Sequence, residues 1–249
     1  MHRLSLALEF EQKTKSIRSI RDLEGALVET SRAMGFRYFA LLHHDDTLEG
    51  HGRALRVHNY PLSFSSWFDK NRLGRRDPVH RASHQTMRGF SWTRVPDMIR
   101  LGSADLEIFQ RARADGIGDG FTVPAHVPGE SRGSCSFAVG ADDEMADDWL
   151  PIAQLIGLSA FETARAIQLH GRGGTGQPLC LTRRQRDCVI LAARGKTDGE
   201  IAGILGLSRE TVRQHLKQAR ERYGIQTRAE LAVRALHDGV ITFNEVLDP

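Results

Sequence analysis

Three helix-start signals follow one another in the last third of the chain, and they restrict its fold more tightly than any other feature. Thr182 with Gln185 and Thr197 with Glu200 fit the capping box. In that motif a hydroxyl accepts a hydrogen bond from the N–H of the third helical residue, whose side chain bonds back to the cap. Ser208 can cap a third helix. Gly195 and Gly206 supply the turns between successive helices. This spacing predicts three short helices in a small bundle.

The third of these helices, predicted at 209–222, has two distinct faces. Its apolar face consists of Val212, Leu216, Ala219 and Tyr223. We predict that this face packs on the preceding helix at Ile201, Ile204 and Leu205. Its basic stripe consists of Arg209, Arg213, Lys217 and Arg220. A helix packed on one side and cationic on the other can lie in the major groove of DNA, whereas a solvated charged face is the alternative.

Charge is distributed unevenly along the chain, whose formal net charge is +3. Residues 180–249 contain 12 Lys or Arg and 9 Asp or Glu, so the excess lies there and residues 1–179 are neutral overall. A neutral domain joined to a basic one fits a polyanionic partner for the second domain. Together with the basic stripe, this pattern indicates double-stranded DNA as a partner.

Residues 181–241 resemble the LuxR-type helix-turn-helix along their whole length. The matching positions are Leu181-Thr182, Gly195-Lys196-Thr197, Glu200-Ile201-Ala202, Leu207-Ser208, Thr211-Val212, His215, Arg228 and Gly239-Val240-Ile241. The resemblance implies that Arg213 and Lys217 occupy recognition positions and that 229–236 form a fourth helix, which often pairs across a dimer. Gln185 replaces the usual Glu, so we expect the capping box to persist and any ion pair of that Glu to be lost. The predicted DNA-binding residues are Thr197, Ser208, Arg209, Arg213, Lys217 and Arg220.

A glycine-rich stretch, HGRGGTGQP at 170–178, separates this region from the rest of the chain. Four glycines and a proline predict a flexible linker, and the GK[ST] ending of a phosphate-binding loop is missing. We therefore divide the chain into a first domain at 1–169, a linker at 170–179 and a helix-turn-helix domain at 180–249.

The first domain alternates between helical and strand-like periodicity. We predict helices at 17–34, 63–71, 77–85, 103–115 and 151–168, and strands at 36–43, 54–59, 121–126 and 134–139. Helices at both ends of an antiparallel run of strands imply an α+β fold in which this domain is an α/β/α sandwich. The second domain is predicted to be an all-α unit of four helices.

The first domain is not a phospho-acceptor receiver, because no lysine lies between Lys70 and Lys196 where a receiver needs one. Residues 60–136 instead resemble an autoinducer-binding domain. The matching positions are Tyr60-Pro61, Asp77-Pro78, Trp92, Gly120-Phe121-Thr122-Val123-Pro124 and Ser136. The resemblance implies an acyl-homoserine lactone, or a related small signal, as the ligand and implies no cofactor.

Such a ligand needs particular partners, and the matching residues supply them. Its amide N–H needs a buried acceptor, the role that falls to Asp77, and its acyl carbonyl needs hydroxyl donors, for which Tyr60 and Ser136 are candidates. Trp92 is a candidate wall. Each residue also has an ordinary interpretation, since Asp77-Pro78 fits a helix N-terminus and aromatic residues commonly fill cores.

Two positions depart from this family. Phe64 and Phe68 stand where Trp and Tyr are typical, and Phe cannot donate the indole N–H that the lactone carbonyl usually receives. A buried carbonyl without its donor costs roughly 1–3 kcal/mol. Using the nearby Trp67 instead requires a three-residue register shift. We therefore include Phe64 and Phe68 among the ligand-binding residues and expect a pocket that is more apolar at its polar end, with a ligand other than a standard acyl-homoserine lactone.

The remaining chemistry-bearing residues give weaker signals. Cys135, Cys180 and Cys188 fit neither a disulfide framework nor a zinc site. His80 and His84 have the spacing of two metal ligands on one helix, but without a third ligand we predict surface histidines and no metal. The first residues lack a signal-peptide pattern and no segment is apolar enough for a membrane span, so we expect the bacterial cytoplasm.

The sequence as a whole predicts a ligand-responsive transcription regulator that binds a two-fold operator as a homodimer, is not an enzyme and does not engage membranes. RNA polymerase is a further candidate partner. Two alternatives stay open at this point. One is a ligand-independent regulator whose pocket is filled by its own side chains, among them Phe64 and Phe68. The other is an enzyme that hydrolyses a lactone or amide and carries a DNA-binding tail.

Overall fold

Five strands near the middle of the chain form one antiparallel sheet in the order β2-β1-β5-β4-β3. They are β1 (Tyr38–His43), β2 (Arg56–His58), β3 (Phe90–Ser91), β4 (Ile117–Ala125) and β5 (Gly133–Gly140). The computed structural model describes residues 3–44, 55–127, 132–171 and 181–247. Residues 3–126 and 132–171 belong to one compact unit, and residues 181–247 belong to a second.

Seven helices of the first unit surround this sheet. They are α1 (Arg3–Thr14), α2 (Ile20–Ala33), α3 (Leu62–Lys70), α4 (Pro78–Ser83), α5 (Val95–Met98), α6 (Ser103–Ala114) and α7 (Leu150–Gly171). The period-2 geometry of a strand sends successive side chains to opposite faces of the sheet. On β5, Cys135 and Phe137 join the main core with α1, α2 and α7, whereas Ser136 faces the other layer. This arrangement confirms the predicted sandwich.

The predicted elements of the first unit are present, with shifted ends. The helix predicted from residue 17 begins at Ile20, because the Ser19 hydroxyl accepts a hydrogen bond from the N–H of Asp22 and caps it there. Helix α1, which buries Leu6 and Phe10 in the main core, was not predicted. The last helix continues through 170–171, into the predicted linker, and the rest of that linker lies outside the described residues.

Between residues 181 and 247, the second unit contains five helices: α8 (Arg183–Ala193), α9 (Asp198–Leu205), α10 (Arg209–Tyr223), α11 (Arg228–His237) and α12 (Phe243–Leu247). Both predicted capping boxes are formed, and Ser208 caps α10. A third capping box, of Thr227 and Glu230, was missed and starts α11 one residue before the predicted position. The short α12 was not predicted.

The core of this unit corrects one predicted contact. Ile201 is fully buried against α10 and Leu205 is half-buried, but Ile204 is exposed. Residues three and four apart both lie close to the same helix face, on opposite flanks of it, and the core covers the flank of Leu205 and not that of Ile204. Gln185 completes its capping box and also donates to Gln218 Oε1 at 3.0 Å, so the departure from Glu leaves no buried group unpaired at this position.

No helix in the described parts of the chain is long and apolar enough to cross a bilayer. Cys135 and Cys188 are both buried free thiols, and Cys180 lies outside the described residues. Burial raises the pKa of the Cys188 thiol and also that of Cys135, which keeps both in the unreactive protonated form.

Candidate ligand cavity and DNA-binding surface

A cavity of about 300 Å³ lies in the first unit between the sheet and helices α3, α4 and α6. This volume is at the small end of the range for ligand pockets. The six residues predicted from the sequence to bind ligand all line it: Tyr60, Phe64, Phe68, Asp77, Trp92 and Ser136. The fold thus gathers side chains from five different segments around one space.

Tyr60 presents its hydroxyl to this cavity as a hydrogen-bond donor. The hydroxyl makes no hydrogen bond to another described residue, and the ring packs edge-on against Phe64 with centroids 5.8 Å apart. Burial, reinforced by the negative charge of Asp77, raises the pKa of the Tyr60 phenol above its ordinary value. The phenol therefore keeps its proton and is available to a ligand acceptor.

The two carboxylate oxygens of Asp77 have different surroundings. Oδ1 accepts a hydrogen bond from the backbone N–H of His80 at 2.9 Å and caps α4, with Pro78 as the first helical residue. Oδ2 has no hydrogen-bond donor among the described residues, although the side chain is buried and lines the cavity. The helix-cap interpretation is correct, and it leaves one oxygen for a ligand N–H.

Trp92 does not offer its indole N–H to the cavity. Nε1 donates to Thr122 Oγ1 at 2.8 Å, and Thr122 Oγ1 lies 2.8 Å from Ser136 Oγ. Since Thr122 accepts from the indole and has Ser136 as its remaining partner, its single proton goes to Ser136. The Ser136 hydroxyl proton is then free to be donated into the cavity.

Sequence reasoning missed Thr122 in this relay. It lies opposite Ser136 in the pairing of β4 with β5, on the same face of the sheet, so the period-2 pattern contained the necessary signal. Gly120 makes the approach of Trp92 possible, because a Cβ there would lie 2.7 Å from the indole ring.

Aromatic rings close the part of the cavity where the family usually has an indole donor. Phe64 and Phe68 both line the cavity, with ring centroids 5.8 Å apart. Trp67 is not among the lining residues; its ring lies under the guanidinium of Arg111 at 5.7 Å. The register shift that would make Trp67 the donor has therefore not occurred, and this wall is apolar.

Four histidines form a cluster beside the cavity. The rings of His44 and His80 stack with centroids 4.0 Å apart, His44 Nδ1 lies 2.9 Å from His84 Nε2, and His126 packs edge-on against His84. His44 Nε2 also lies 2.9 Å from Ser134 Oγ. His80 is only 6% exposed, so the prediction of a surface histidine is wrong at this position. Within the described ranges no cluster of His, Cys, Asp or Glu could hold a metal ion.

This cluster predicts acid sensitivity of the first unit. Burial, followed by the neighbouring histidines, lowers the pKa of His44 far below 6.5, so below that pH the unfolded chain binds a proton that the folded chain excludes. Stability therefore falls as the pH falls, by about 1.4 kcal/mol for His44 alone between neutral pH and pH 5.5. Urea unfolding followed by tryptophan fluorescence reports this unit, because Trp67, Trp92 and Trp149 all lie in it.

We expect His44→Gln to flatten that pH dependence, and His237→Gln, in the second unit, to leave it unchanged. Equal slopes for the native chain and His44→Gln would show that His44 does not carry the effect.

The recognition helix candidate, α10, presents cations about 100° around the helix from its buried face. Val212, Leu216 and Ala219 are buried, whereas Arg213 and Lys217 are exposed. Arg213 pairs with Glu210 at 3.1 Å and Lys217 approaches Glu221 at 3.8 Å. Exposed ion pairs of this kind contribute little, so phosphate or base contacts can replace them.

The other predicted DNA-binding residues have different positions. Arg209 is exposed at the start of α10, where its guanidinium lies against the backbone of α9 near Gly199. Arg220 is half-buried and donates to the carbonyl of Gln226 at 3.1 Å, so it also holds the turn after α10. Thr197 and Ser208 cap their helices through their side-chain oxygens.

A small-molecule cavity in an α/β unit, followed in the same chain by a helix-turn-helix with a cationic helix, defines a ligand-responsive transcription regulator. Residues 19–164 match the family described as "Autoinducer binding domain", and residues 179–235 match "Bacterial regulatory proteins, luxR family". The chain belongs to this family of LuxR-type quorum-sensing regulators.

Individual relatives match over almost the whole chain. The transcriptional activator protein VanR of Vibrio anguillarum is 29% identical over 240 residues, covering 94% of this chain and 97% of VanR. The transcriptional activator protein LuxR of Aliivibrio fischeri is 24% identical, covering 92% of each chain. A crystal structure of Escherichia coli SdiA superposes with a TM-score of 0.70 at 19% identity, over 96% of this chain and 98% of SdiA, and so shows the same fold.

Proposed function

We propose that this chain senses an acylated amide signal, an acyl-homoserine lactone or a related molecule. The observation that carries this proposal is a set of three polar groups in one cavity: the free Asp77 oxygen as acceptor, and the Tyr60 and Ser136 hydroxyls as donors. An amide needs this combination, because its N–H requires an acceptor and its carbonyl requires donors. Trp92 then serves as a wall.

The head group of the signal is the part that departs from an ordinary homoserine lactone. Phe64 offers an aromatic face where a lactone carbonyl would need a donor, and Trp67 does not line the cavity. A head group without that carbonyl avoids the cost of an unpaired buried acceptor. We therefore favour an acyl amide with an apolar cyclic or aromatic head.

Native mass spectrometry of protein purified from its own host tests the acyl-amide proposal. We expect the protein to retain a small molecule whose fragments include an acyl amide. This molecule should stabilise the protein against heat, and its removal should abolish that stabilisation. A retained molecule without an amide would refute the proposed ligand class.

Two alternatives receive less support from the cavity. A pocket filled by its own side chains does not agree with a free volume of about 300 Å³ beside Phe64 and Phe68. For an enzyme, Ser134 with His44 has the separation of a nucleophile and a base, but both are buried and neither lines the cavity. Recovery of candidate ligands unchanged after incubation distinguishes binding from hydrolysis.

On DNA, we propose that the chain acts as a homodimer on a two-fold operator in the cytoplasm. Ligand binding would stabilise the first unit or shift the spacing of the two recognition helices. Val233 on α11 is largely exposed and fits a pairing surface between the second units. Because the relatives are named transcriptional activators, we also propose that the DNA-bound dimer contacts RNA polymerase. Sedimentation of the full chain with and without operator DNA tests the dimer.

We expect Arg213→Ala to weaken operator binding by about ten- to a hundredfold and to relax base preference, because its exposed guanidinium can reach a guanine edge. The stabilisation of the first unit by its ligand should not change, since Arg213 lies in the second unit. Fluorescence anisotropy with operator and scrambled DNA measures both effects, with Arg32→Ala, an exposed arginine on α2 of the first unit, as the control. Equal loss on all sequences would mean that Arg213 contacts phosphate only.

A further inference from the structure

We propose that His80 accepts a hydrogen bond from a hydroxyl group on the acyl chain of the ligand, so that the cavity selects a hydroxylated acyl amide over a plain one. This inference rests on the proposed acyl-amide ligand and specifies its chain. It concerns the side of the cavity formed by α4 and the histidine cluster.

The protonation of the His80 ring follows from its hydrogen bond. Nδ1 lies 2.7 Å from the carbonyl oxygen of Gly74. A carbonyl oxygen can only accept, so Nδ1 carries a proton, and in the neutral ring Nε2 then carries a lone pair. Nε2 has no hydrogen-bond partner among the described residues, while the buried side chain lines the cavity. The cavity therefore contains an acceptor that the protein does not satisfy.

Neighbouring rings hold His80 in this orientation. His44 stacks on it in nearly parallel planes, 8° apart, and Phe68 contacts it edge-on with centroids 6.0 Å apart. His44 is itself held between Ser134 and His84. A ring fixed on both sides presents its acceptor in one place, which makes it suitable for discriminating between ligands.

The position of His80 relative to Asp77 indicates where the hydroxyl lies. The two residues are three apart at the start of α4, a spacing that places side chains about 5–6 Å from each other at Cβ. If Asp77 Oδ2 binds the amide N–H, an acceptor at this distance reaches the first few carbons of the acyl chain. A hydroxyl on the third carbon has the required separation from the amide nitrogen.

Calorimetric titration of the full chain at pH 8 with two matched amides tests the proposal. The probes are N-octanoyl-cyclopentylamide and N-(3-hydroxyoctanoyl)-cyclopentylamide, which lack the lactone carbonyl and differ by one hydroxyl. We expect the hydroxylated amide to bind about three- to tenfold more tightly, the range of one net hydrogen bond.

Two variants test whether Nε2 of His80 is the atom that distinguishes the hydroxylated amide from the plain one. The side-chain NH2 of asparagine can replace Nδ1 as the donor to the Gly74 carbonyl, but asparagine has no acceptor at the position of Nε2. His80→Asn should therefore bring the affinity ratio of the hydroxylated to the plain amide down to about one. His80→Gln places an amide oxygen near the former Nε2 and should keep part of the ratio. Equal affinities for the two amides in the native chain, or an unchanged ratio in His80→Asn, would overturn the inference about His80 and leave the proposed acyl-amide ligand standing. Binding of neither amide would instead overturn the proposed acyl-amide ligand and, with it, this inference.

Discussion

Replacing Asp77 with asparagine is expected to weaken ligand binding by about ten- to a hundredfold while leaving the stability of the free protein nearly unchanged. Asn is as good a helix cap as Asp, so its Oδ1 can still accept the His80 N–H. The side-chain NH2 then replaces the free oxygen and meets the ligand N–H with a second donor. Losing a charged hydrogen bond costs about 1.5–3 kcal/mol, which corresponds to this loss of affinity.

The alanine variant is the matched control for the two roles of Asp77. Asp77→Ala should lose the ligand interaction and also about 1 kcal/mol of stability, because α4 loses its cap. Calorimetric titration with N-octanoyl-cyclopentylamide and urea unfolding of the ligand-free protein separate the two effects. Undiminished affinity in Asp77→Asn would remove Asp77 from the ligand site and confine it to capping.

Replacing Phe64 with tryptophan is expected to raise the affinity for an acyl-homoserine lactone by about ten- to a hundredfold relative to the matching cyclopentylamide. The indole supplies the donor that the lactone carbonyl lacks in the native cavity, which recovers about 1–3 kcal/mol. Phe64 lines the cavity, so the larger ring can extend into free space instead of into the packed core.

The ratio of the two affinities is the quantity to measure, because any loss of cavity volume affects both ligands. In the native chain we expect the cyclopentylamide to bind at least as tightly as the lactone. Phe64→Leu removes the ring without adding a donor and should not favour the lactone. The interpretation of Phe64 fails if native protein already prefers the lactone strongly, or if the tryptophan leaves the ratio unchanged.

Much of this architecture could be predicted from local signals. The capping boxes of Thr182 and Thr197 are formed as predicted, since a cap depends on residues three apart. The strands containing Phe39 and Ser136 follow from short-range periodicity. Ile204 shows the limit of this reasoning, because the apolar spacing alone does not specify which of two adjacent helix faces is covered.

In the ligand site, too, one part could be predicted from the sequence and another could not. The family resemblance at Tyr60, Asp77 and Ser136 implied an acyl-amide ligand. The tertiary structure adds which atoms are already used: the indole of Trp92 donates to Thr122, and one oxygen of Asp77 caps α4. Availability of a donor or acceptor depends on neighbours that are distant in sequence, which no local pattern contains.

The LuxR-type DNA-binding module could be recognised from the amino-acid sequence alone, because helix caps, glycine turns and a basic stripe are local properties of the chain. The resemblance to this family also predicted that Phe64 stands where a Trp donor to the ligand is typical. The burial of His80 against His44 and the position of Trp67 away from the cavity could not be predicted and are known from the three-dimensional packing. The physical reason is that burial and ring stacking arise when β1, α3 and α4 pack together, and that packing fixes orientations which spacing leaves free.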